Sequence, residues 1–169
     1  MIDYDLMAEK VFDLTYFNGR VAVILGSGLG KFSNNLDDQF TIPYDDIPGY
    51  PSSTVEGHKG ELVIGKLGAH EILIANGRFH YYEGYSFQQI TIPIHFFKKL
   101  GISHLIITNS SGSMNKNFSP GTLMVVKGHM DCTYRHSSDP PIIYSSFPYH
   151  DPELIDLAFS AAKEMDIEL

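Results

Sequence analysis

Apolar residues along this chain follow two alternating patterns, which predict strands and helices in turn. Residues 21–25 and 104–108 are short apolar runs, typical of strands that are buried on both faces. Residues 61–66 and 71–75 are two more strand candidates, and the short glycine-containing link between them predicts a β-hairpin. One further strand is predicted over residues 122–126.

Helical spacing of the apolar residues predicts three helices. The first is expected over residues 6–17. The second is expected over residues 87–100, where Pro93 requires the helix either to begin or to bend. The last begins after Asp151, a favourable N-cap residue, and ends near residue 165.

The alternation of strands and helices, without repeats or a linker, predicts one α/β domain over residues 1–169. We expect a layered mixed β-sheet flanked by helices. A loop-rich stretch that contains Pro43, Pro48, Gly49 and Pro51 follows the strand at residues 21–25, and residues 135–150 have an irregular composition. Residues 167–169 resemble the beginning of another strand, so we expect the chain to be the N-terminal portion of a longer protein.

Composition narrows the possible functions. The 169 residues are 43% hydrophobic and 19% charged, which is typical of a globular protein. A net charge of −8 without a basic stripe argues against nucleic-acid binding. No apolar run approaches the roughly 18 residues of a membrane span, and the acidic first residues do not resemble a signal peptide. The single Cys132 suits a reducing compartment, so we expect a cytoplasmic protein.

The densest group of candidate functional side chains lies in residues 77–85. This run combines Arg78, His80 and Glu83 with three tyrosines, and a glycine stands at each end of its charged part. The planar guanidinium suits phosphate or carboxylate, so the run predicts an oxyanion site beside a flat or sugar-like group. The alternative is a surface turn in which Arg78 pairs with Glu83 while the aromatic residues pack inward.

A glycine-rich loop directly follows the first buried strand. Residues 26–30 read Gly-Ser-Gly-Leu-Gly, so backbone N–H groups can converge on an anion and the serine hydroxyl adds a donor. The dinucleotide-binding fingerprint requires glycine where Lys31 stands, and the P-loop requires glycine where Leu25 stands. The loop therefore predicts either another type of anion site or a tight turn. In the second case the glycines are needed only because a larger side chain would clash.

Two further loops carry candidate polar groups. His58 lies between glycines just before a predicted strand, and Asn109 begins an Asn-Ser-Ser-Gly-Ser sequence after the strand at residues 104–108. Because ligands in open α/β sheets bind beyond the carboxyl ends of strands, this second loop and the glycine-rich loop are expected to face one crevice. The alternatives are a polar surface histidine and a capping turn.

Metal-dependent and covalent mechanisms find little support in the sequence. The eight histidines include no His-Glu-x-x-His spacing, and one cysteine cannot form a thiolate cluster. The Gly-x-Ser-x-Gly sequence of a nucleophile elbow does not occur. We therefore expect no metal site.

Four segments, taken in order, resemble the trimeric type of purine nucleoside phosphorylase, together with its relatives that act on methylthioadenosine. They are Gly-Ser-Gly-Leu-Gly at 26–30, Ser-Thr-Val-Glu-Gly-His-Lys-Gly at 53–60, the run at 77–85, and Thr-Asn-Ser-Ser-Gly at 108–112. Each segment alone is weak evidence for this family, but the four segments in this order are specific to it. The resemblance extends from about residue 20 to the end. It implies a nucleoside-phosphorylase-like fold whose C-terminal part is missing from this chain.

The resemblance also implies a role for each matching residue. Inorganic phosphate, the co-substrate, would be held by Ser27, His58, Arg78, His80 and the backbone N–H of Ser110. His80 is the expected catalytic residue, and His58 would close over the phosphate. Tyr82 and Asn109 would lie at the nucleoside, and Phe147 would reach the sugar site of a neighbouring subunit in a homotrimer.

The implied reaction is the reversible phosphorolysis of purine ribonucleosides to free base and ribose 1-phosphate, by a pentosyltransferase that needs no cofactor. Two features depart from the family. Ser110 and Ser111 replace the usual alanines, and the family's purine-binding carboxylate belongs to a part beyond Leu169. The alternatives are a non-catalytic phosphate- or nucleotide-binding fragment, a methylthioadenosine phosphorylase, and a hydrolase. Arg78 and His80 argue against the hydrolase, since water needs no such clamp.

Overall fold

The computed structural model describes residues 2–52, 59–132, 141–145 and 150–169. The chain divides into two compact units, residues 1–111 and residues 112–169. The expectation of a single domain over residues 1–169 stays a prediction. Within the described ranges, the helices are too short or too polar to cross a membrane.

The first unit is built on a five-stranded sheet. In chain order its strands are β1 (Val21–Ile24), β2 (Asp37–Pro43), β3 (Glu61–Leu67), β4 (His70–Asn76) and β5 (His104–Ile107). Across the sheet their order is β2-β3-β4-β1-β5. β1 runs parallel to both β4 and β5, whereas β3 pairs in antiparallel fashion with β2 and β4. The predicted mixed sheet and the hairpin of β3 and β4 are therefore confirmed.

Helices pack against this sheet, and the strand β1 lies inside it between β4 and β5. The helices of the unit are α1 (Tyr4–Leu14), α2 (Phe87–Ile90) and α3 (Ile92–Lys99). Ala22 and Ile24 of β1 belong to an apolar cluster that contains buried residues of α1 and α3. Val23 and Leu25 belong to a second cluster. Because successive strand residues point to opposite faces, β1 is buried on both faces, as its apolar run predicts.

The strand β5 differs from the prediction. It was expected to be buried on both faces, but Ile106 and Ile107 are 50% and 58% exposed. The reason is its place at the edge of the sheet, where it pairs with β1 on one side within the described residues. An apolar run shows that a strand can be buried without showing which neighbours cover it.

Two other strand predictions require correction. β2 lies within the stretch that was expected to be loop, and only Ile42 of this strand is buried, so it has no apolar alternation to reveal it. Residues 122–126, by contrast, form no strand. Leu123 and Met124 remain more than half exposed there, because their run pairs with no other strand in the described part of the chain.

The predicted helix over residues 87–100 is interrupted. It breaks at Thr91, whose hydroxyl donates to a carbonyl oxygen of α2 at 2.9 Å. Pro93 lies in the first turn of α3, where its missing N–H is no loss. The helix therefore restarts instead of bending. α1 begins earlier than the predicted range 6–17, because Asp3 caps it by accepting from the backbone N–H of Leu6. It also ends earlier, because Thr15 adopts an extended backbone.

The second unit contains a two-stranded antiparallel pair and one helix. The strands are β6 (His129–Asp131) and β7 (Ile142–Tyr144), and the helix is α4 (Pro152–Glu164). Asp151 caps α4, since its carboxylate accepts from the backbone N–H of Glu153 at 2.9 Å, which confirms the predicted N-cap. Residues 167–169 form no strand, contrary to expectation.

Candidate active site

The candidate site lies at one edge of the sheet in the first unit. β4, β1 and β5 are parallel neighbours, so their carboxyl ends point the same way. The loop after β1 carries Ser27, the loop after β4 carries Arg78 and His80, and the loop after β5 carries Asn109 and Ser110. The topology therefore gathers three of the predicted segments at the position where open α/β sheets bind ligands.

The glycine-rich loop and the loop after β5 are in direct contact. The Gly26 N–H donates to the Thr108 hydroxyl at 2.8 Å, and that hydroxyl donates to the Ile24 carbonyl oxygen at 3.2 Å. A Cβ atom on Gly26 would lie 2.7 Å from the Thr108 carbonyl oxygen and 2.9 Å from the Asn109 Cα. The predicted proximity of the two loops is therefore confirmed, and glycine at position 26 is required by this close approach.

Gly28 is required for a different reason. Its φ of +85° lies in the left-handed region, although a Cβ atom there would meet no neighbour within 4 Å. The turn between the two glycines leaves Ser27 exposed. The loop thus presents the serine outward at the carboxyl edge, while Gly26 anchors it to the sheet.

Arg78 connects the third loop to the other two. Its Nη1 donates to the Thr108 carbonyl oxygen at 2.7 Å, and its Nε donates to His80 Nε2 at 2.9 Å. These two hydrogen bonds fix the plane of the guanidinium against the backbone of the loop after β5. Two of the five N–H donors of the side chain therefore suffice to hold it in place.

Glu83 fixes the tautomer of His80. One carboxylate oxygen of Glu83 accepts from the backbone N–H of His80 at 2.9 Å and contacts His80 Nδ1 at 2.5 Å. Because Arg78 can only donate, His80 Nε2 must be the acceptor in their hydrogen bond, and Nδ1 carries the ring proton toward Glu83. The imidazole is therefore held at both nitrogens, in the orientation that suits a proton on Nδ1.

This pairing overturns the alternative of a simple surface turn. Glu83 bonds to His80 and not to Arg78, and the Glu83 side chain is only 7% exposed. Of the aromatic residues, Phe79 is buried, but Tyr81 and Tyr82 point outward. The sequence includes Glu83 in the candidate run but gives no sign of its role toward His80 beyond its position three residues later, directly before a glycine, which is the signal of a capped turn.

Tyr82 lies against the imidazole. Its ring stacks on that of His80 with 4.7 Å between centroids and an interplanar angle of 20°. The Tyr82 side chain is 78% exposed, so its outer face is open to a ligand. The structure therefore places an aromatic surface directly beside the Arg78–His80 pair.

The buried Tyr44 is hydrogen-bonded to the loop after β4. The Tyr44 hydroxyl donates to the Gly77 carbonyl oxygen at 2.7 Å. Burial, with a smaller contribution from the nearby Glu61 carboxylate, raises the pKa of Tyr44 well above its ordinary value. The phenol thus stays protonated and remains a donor to Gly77.

A small pocket adjoins the glycine-rich loop. It has a volume of about 20 Å³, and Ser27, Gly28, Lys59 and Asn76 are among its lining residues. Ser27 and Lys59 belong to two of the segments named in the sequence, whereas Asn76 enters the lining because the pairing of β3 with β4 sets it opposite Glu61.

Two predicted site residues lie outside the described part of the chain. These are His58 and Phe147. Asn109 and Ser110 are exposed at the carboxyl edge. The structure thus brings Ser27, Arg78, His80, Tyr82 and the Asn109 loop to one region, and their roles toward phosphate and nucleoside stay predictions.

The fold is that of an α/β protein in which polar side chains from three loops gather at the carboxyl edge of parallel strands. Residues 20–169 match the family model described as the phosphorylase superfamily, and the chain belongs to that family.

Several members of the family resemble this chain closely. It is 47% identical over 112 residues to purine nucleoside phosphorylase 1 of Geobacillus stearothermophilus, a match that covers 66% of this chain and 41% of that protein. It is 37% identical over 157 residues to purine nucleoside phosphorylase 1 of Bacillus subtilis, covering 89% and 58% of the two chains. The chain therefore spans about half the length of these relatives.

A solved structure supports the same relationship. Isoform 2 of purine nucleoside phosphorylase from Schistosoma mansoni, in complex with cytosine and ribose-1-phosphate, superposes with a TM-score of 0.66 at 36% sequence identity. The match covers 75% of this chain and 43% of that one. The expected nucleoside-phosphorylase-like fold is thereby confirmed for the part that the match covers.

Proposed function

We propose that this protein catalyses the reversible phosphorolysis of purine nucleosides. The observation that carries this proposal is the Arg78–His80–Glu83 arrangement, which is fastened to the carboxyl edge through Thr108. A fixed guanidinium beside an imidazole suits an oxyanion, and the similarity to purine nucleoside phosphorylases supports phosphate as that oxyanion.

Phosphate is held, in this proposal, by groups from all three loops and by one further histidine. They are the Ser27 hydroxyl, the Arg78 guanidinium, the His80 imidazole, the Ser110 backbone N–H and His58. His80 is the catalytic residue, because it contacts the phosphate that reacts. Glu83 is a positioning residue, which acts on the phosphate only through His80.

A proton on His80 Nε2 links the structure to phosphate binding. In the structure this nitrogen accepts from Arg78, so it carries no proton that it can donate to an oxyanion. We infer that His80 takes up a proton on Nε2 when phosphate binds there, and that the Glu83 carboxylate stabilises the resulting imidazolium. Arg78 Nε is then released to donate to the same phosphate.

The chemical step follows from this placement. A phosphate oxygen attacks the anomeric carbon of the ribose and forms the new C–O bond, while the glycosidic C–N bond breaks and its electron pair passes to the purine. The sugar develops positive charge in the transition state, and the phosphate dianion opposite the leaving base stabilises it. The purine takes up one proton, which we assign to a carboxylic acid side chain that becomes a carboxylate and that the family resemblance places outside these 169 residues.

The nucleoside side of the proposal rests on the exposed aromatic surface. Tyr82 stacks on His80 with its outer face open, which suits contact with a ribose beside the phosphate. Asn109 lies on the neighbouring loop and is proposed to contact the nucleoside. By resemblance, we further propose a homotrimer in which Phe147 completes a neighbouring sugar site. A cytoplasmic location and a reaction without metal or other cofactor belong to the same proposal.

The test is phosphate-dependent release of free base from inosine by a full-length version of the protein, measured by chromatography. Arg78→Ala is expected to lower the phosphate-dependent rate by about 10- to 100-fold, because a hydrogen bond to a charged group contributes about 1.5–3 kcal/mol. Arg20→Ala is the matched control, since Arg20 donates to the Gly101 carbonyl oxygen instead.

The outcomes separate the candidate functions. Unchanged saturation by phosphate in Arg78→Ala contradicts the assignment. Base release that needs no phosphate indicates a hydrolase. Phosphate binding without any base release indicates a non-catalytic binding protein.

A further inference from the structure

The glycine-rich loop is attached at each of its ends by a hydrogen bond to a side chain. At its start, the Gly26 N–H donates to the Thr108 hydroxyl at 2.8 Å. At its end, the Gly30 carbonyl oxygen accepts from the Ser33 hydroxyl at 3.0 Å. Ser27 lies exposed between these two attachments. The position of the Ser27 hydroxyl therefore depends on both of them.

Ser33 is itself held by Asn76. The Asn76 Nδ2 donates to Ser33 Oγ and to Glu61 Oε1, each at 3.0 Å. Because the Glu61 carboxylate only accepts hydrogen bonds, the nitrogen of the amide, and not its oxygen, faces this pair of partners. Ser33 and Asn76 are 2% and 3% exposed, so water competes little for their hydrogen bonds. Donation thus runs in one direction, from Asn76 through Ser33 to the Gly30 carbonyl oxygen at the end of the glycine-rich loop.

Asn76 also belongs to the base of the loop that carries Arg78. It is the last residue of β4 and stands two positions before Arg78. A Cβ atom on Gly30 would lie 3.8 Å from Asn76 Oδ1, so the end of the glycine-rich loop approaches the end of β4 at this point. Asn76 and Ser33 therefore form a bridge between the loop after β1 and the loop after β4, and this bridge is separate from the one that Thr108 makes.

We propose that Ser33 and Asn76 are positioning residues for the phosphate site. They act through the glycine-rich loop and not by contact with phosphate. The Ser27 hydroxyl and the Arg78 guanidinium must stand at a fixed separation if both are to donate to one phosphate, and the bridge holds the two loops at that separation. Without it, the loop keeps its attachment at Gly26 but loses the one at its far end. The inference rests on the proposed function, because it concerns the phosphate that reacts.

The test is calorimetric titration of the 169-residue chain with inorganic phosphate. Ser33→Ala removes the hydroxyl that joins Asn76 to Gly30 and leaves the hydrogen bond from Asn76 to Glu61 in place. We expect the dissociation constant for phosphate to rise about three- to tenfold in Ser33→Ala. This factor corresponds to the loss of one hydrogen bond between neutral groups.

A double-mutant cycle separates positioning from a general loss of stability. Because Ser33 acts through the loop that carries Ser27, its hydroxyl matters less once the Ser27 hydroxyl is gone. In a chain that already carries Ser27→Ala, we therefore expect Ser33→Ala to change the dissociation constant for phosphate by less than about twofold. A role in stability alone would leave the effect of Ser33→Ala the same in both chains.

Two variants outside the bridge serve as controls. Ser160→Ala makes the same chemical change, since the Ser160 hydroxyl donates to the Asp156 carbonyl oxygen at 2.9 Å within α4. Ile92→Val shortens a buried side chain of α3, so it lowers the midpoint of urea unfolding without removing a hydrogen bond. Both controls are expected to bind phosphate within about twofold of the unaltered chain.

The results distinguish this inference from the proposed function. Equal phosphate affinity in Ser33→Ala and Ser160→Ala, or an undiminished effect of Ser33→Ala in the chain that lacks the Ser27 hydroxyl, overturns the inference. If Arg78→Ala nevertheless weakens phosphate binding, the proposed phosphate site stands without this bridge. If the unaltered chain binds no phosphate, the proposed function fails and this inference fails with it.

Discussion

Replacing Glu83 with glutamine tests the role of its carboxylate with little change in shape. The glutamine Oε1 can still accept from the backbone N–H of His80 and from Nδ1–H, which lie 2.9 Å and 2.5 Å from the present carboxylate oxygen. The neutral imidazole therefore keeps its partners in Glu83→Gln. What is lost is the negative charge that stabilises an imidazolium when His80 Nε2 takes a proton to bind phosphate.

The size of the effect follows from the burial of this pair. A hydrogen bond between charged groups contributes about 1.5–3 kcal/mol, against about 0.5–1.5 kcal/mol for a neutral one. The Glu83 side chain is 7% exposed and that of His80 is 20% exposed, so solvent screens the interaction little. The difference of about 1–2 kcal/mol predicts a phosphate affinity about 5- to 30-fold weaker in Glu83→Gln.

The assay is isothermal titration of phosphate in buffers with different ionisation enthalpies, which counts the protons taken up on binding. We expect proton uptake by the unaltered chain, and weaker binding by Glu83→Gln at the same pH. Glu71→Gln is the control, because Glu71 also accepts a backbone N–H, that of Asn18 at 2.8 Å, but at the opposite end of β4. Equal phosphate affinity in Glu83→Gln and the unaltered chain would refute the role of the carboxylate.

Two further predictions concern stability, measured as the midpoint of urea unfolding. Gly26→Ala is expected to lower the free energy of unfolding by about 1–3 kcal/mol, because the added Cβ would meet backbone atoms at 2.7 and 2.9 Å. Gly112→Ala is the control and is expected to have little effect, because a Cβ there would meet no neighbour within 4 Å. Tyr44→Phe removes the donor to Gly77 and is expected to lower the free energy of unfolding by about 1–2 kcal/mol. Tyr50→Phe is its control, because it removes a buried hydroxyl that lacks a partner among the described residues, and it is expected to leave the free energy of unfolding unchanged or to raise it. Equal effects within either pair contradict the contacts described.

The position of the site follows from the sequence more readily than its internal contacts. The apolar runs at residues 21–25 and 104–108 identify parallel strands, and ligands bind at the carboxyl ends of such strands, so the meeting of the two following loops is predictable. The strand β2 is not, because only Ile42 of its seven residues is buried and the strand shows no alternation. Exposure of β5 escapes prediction for a related reason, since it depends on which strands lie beside it.

The contacts within the site depend on details that no periodicity encodes. Arg78 has two potential partners nearby in the chain, His80 and Glu83, and a short turn decides that Glu83 bonds to His80. Likewise, Glu61 and Asn76 are fifteen positions apart, and they meet because they are directly opposite in the register of β3 and β4. Sequence reasoning identifies the residue types of such a site, whereas the register and the turn geometry determine which of them touch.

Thr108 joins parts of the site that are far apart in the chain. Its hydroxyl binds the N–H of Gly26, 82 positions away, and its carbonyl oxygen binds Arg78, 30 positions away. These loops therefore lose their conformational freedom when the sheet forms, and not when a ligand arrives. An anion that binds among them meets loops whose backbone is already in place, so little of its binding free energy is offset by the ordering of these loops. A single threonine thus transfers the entropic cost of building the site from the binding step to the folding step.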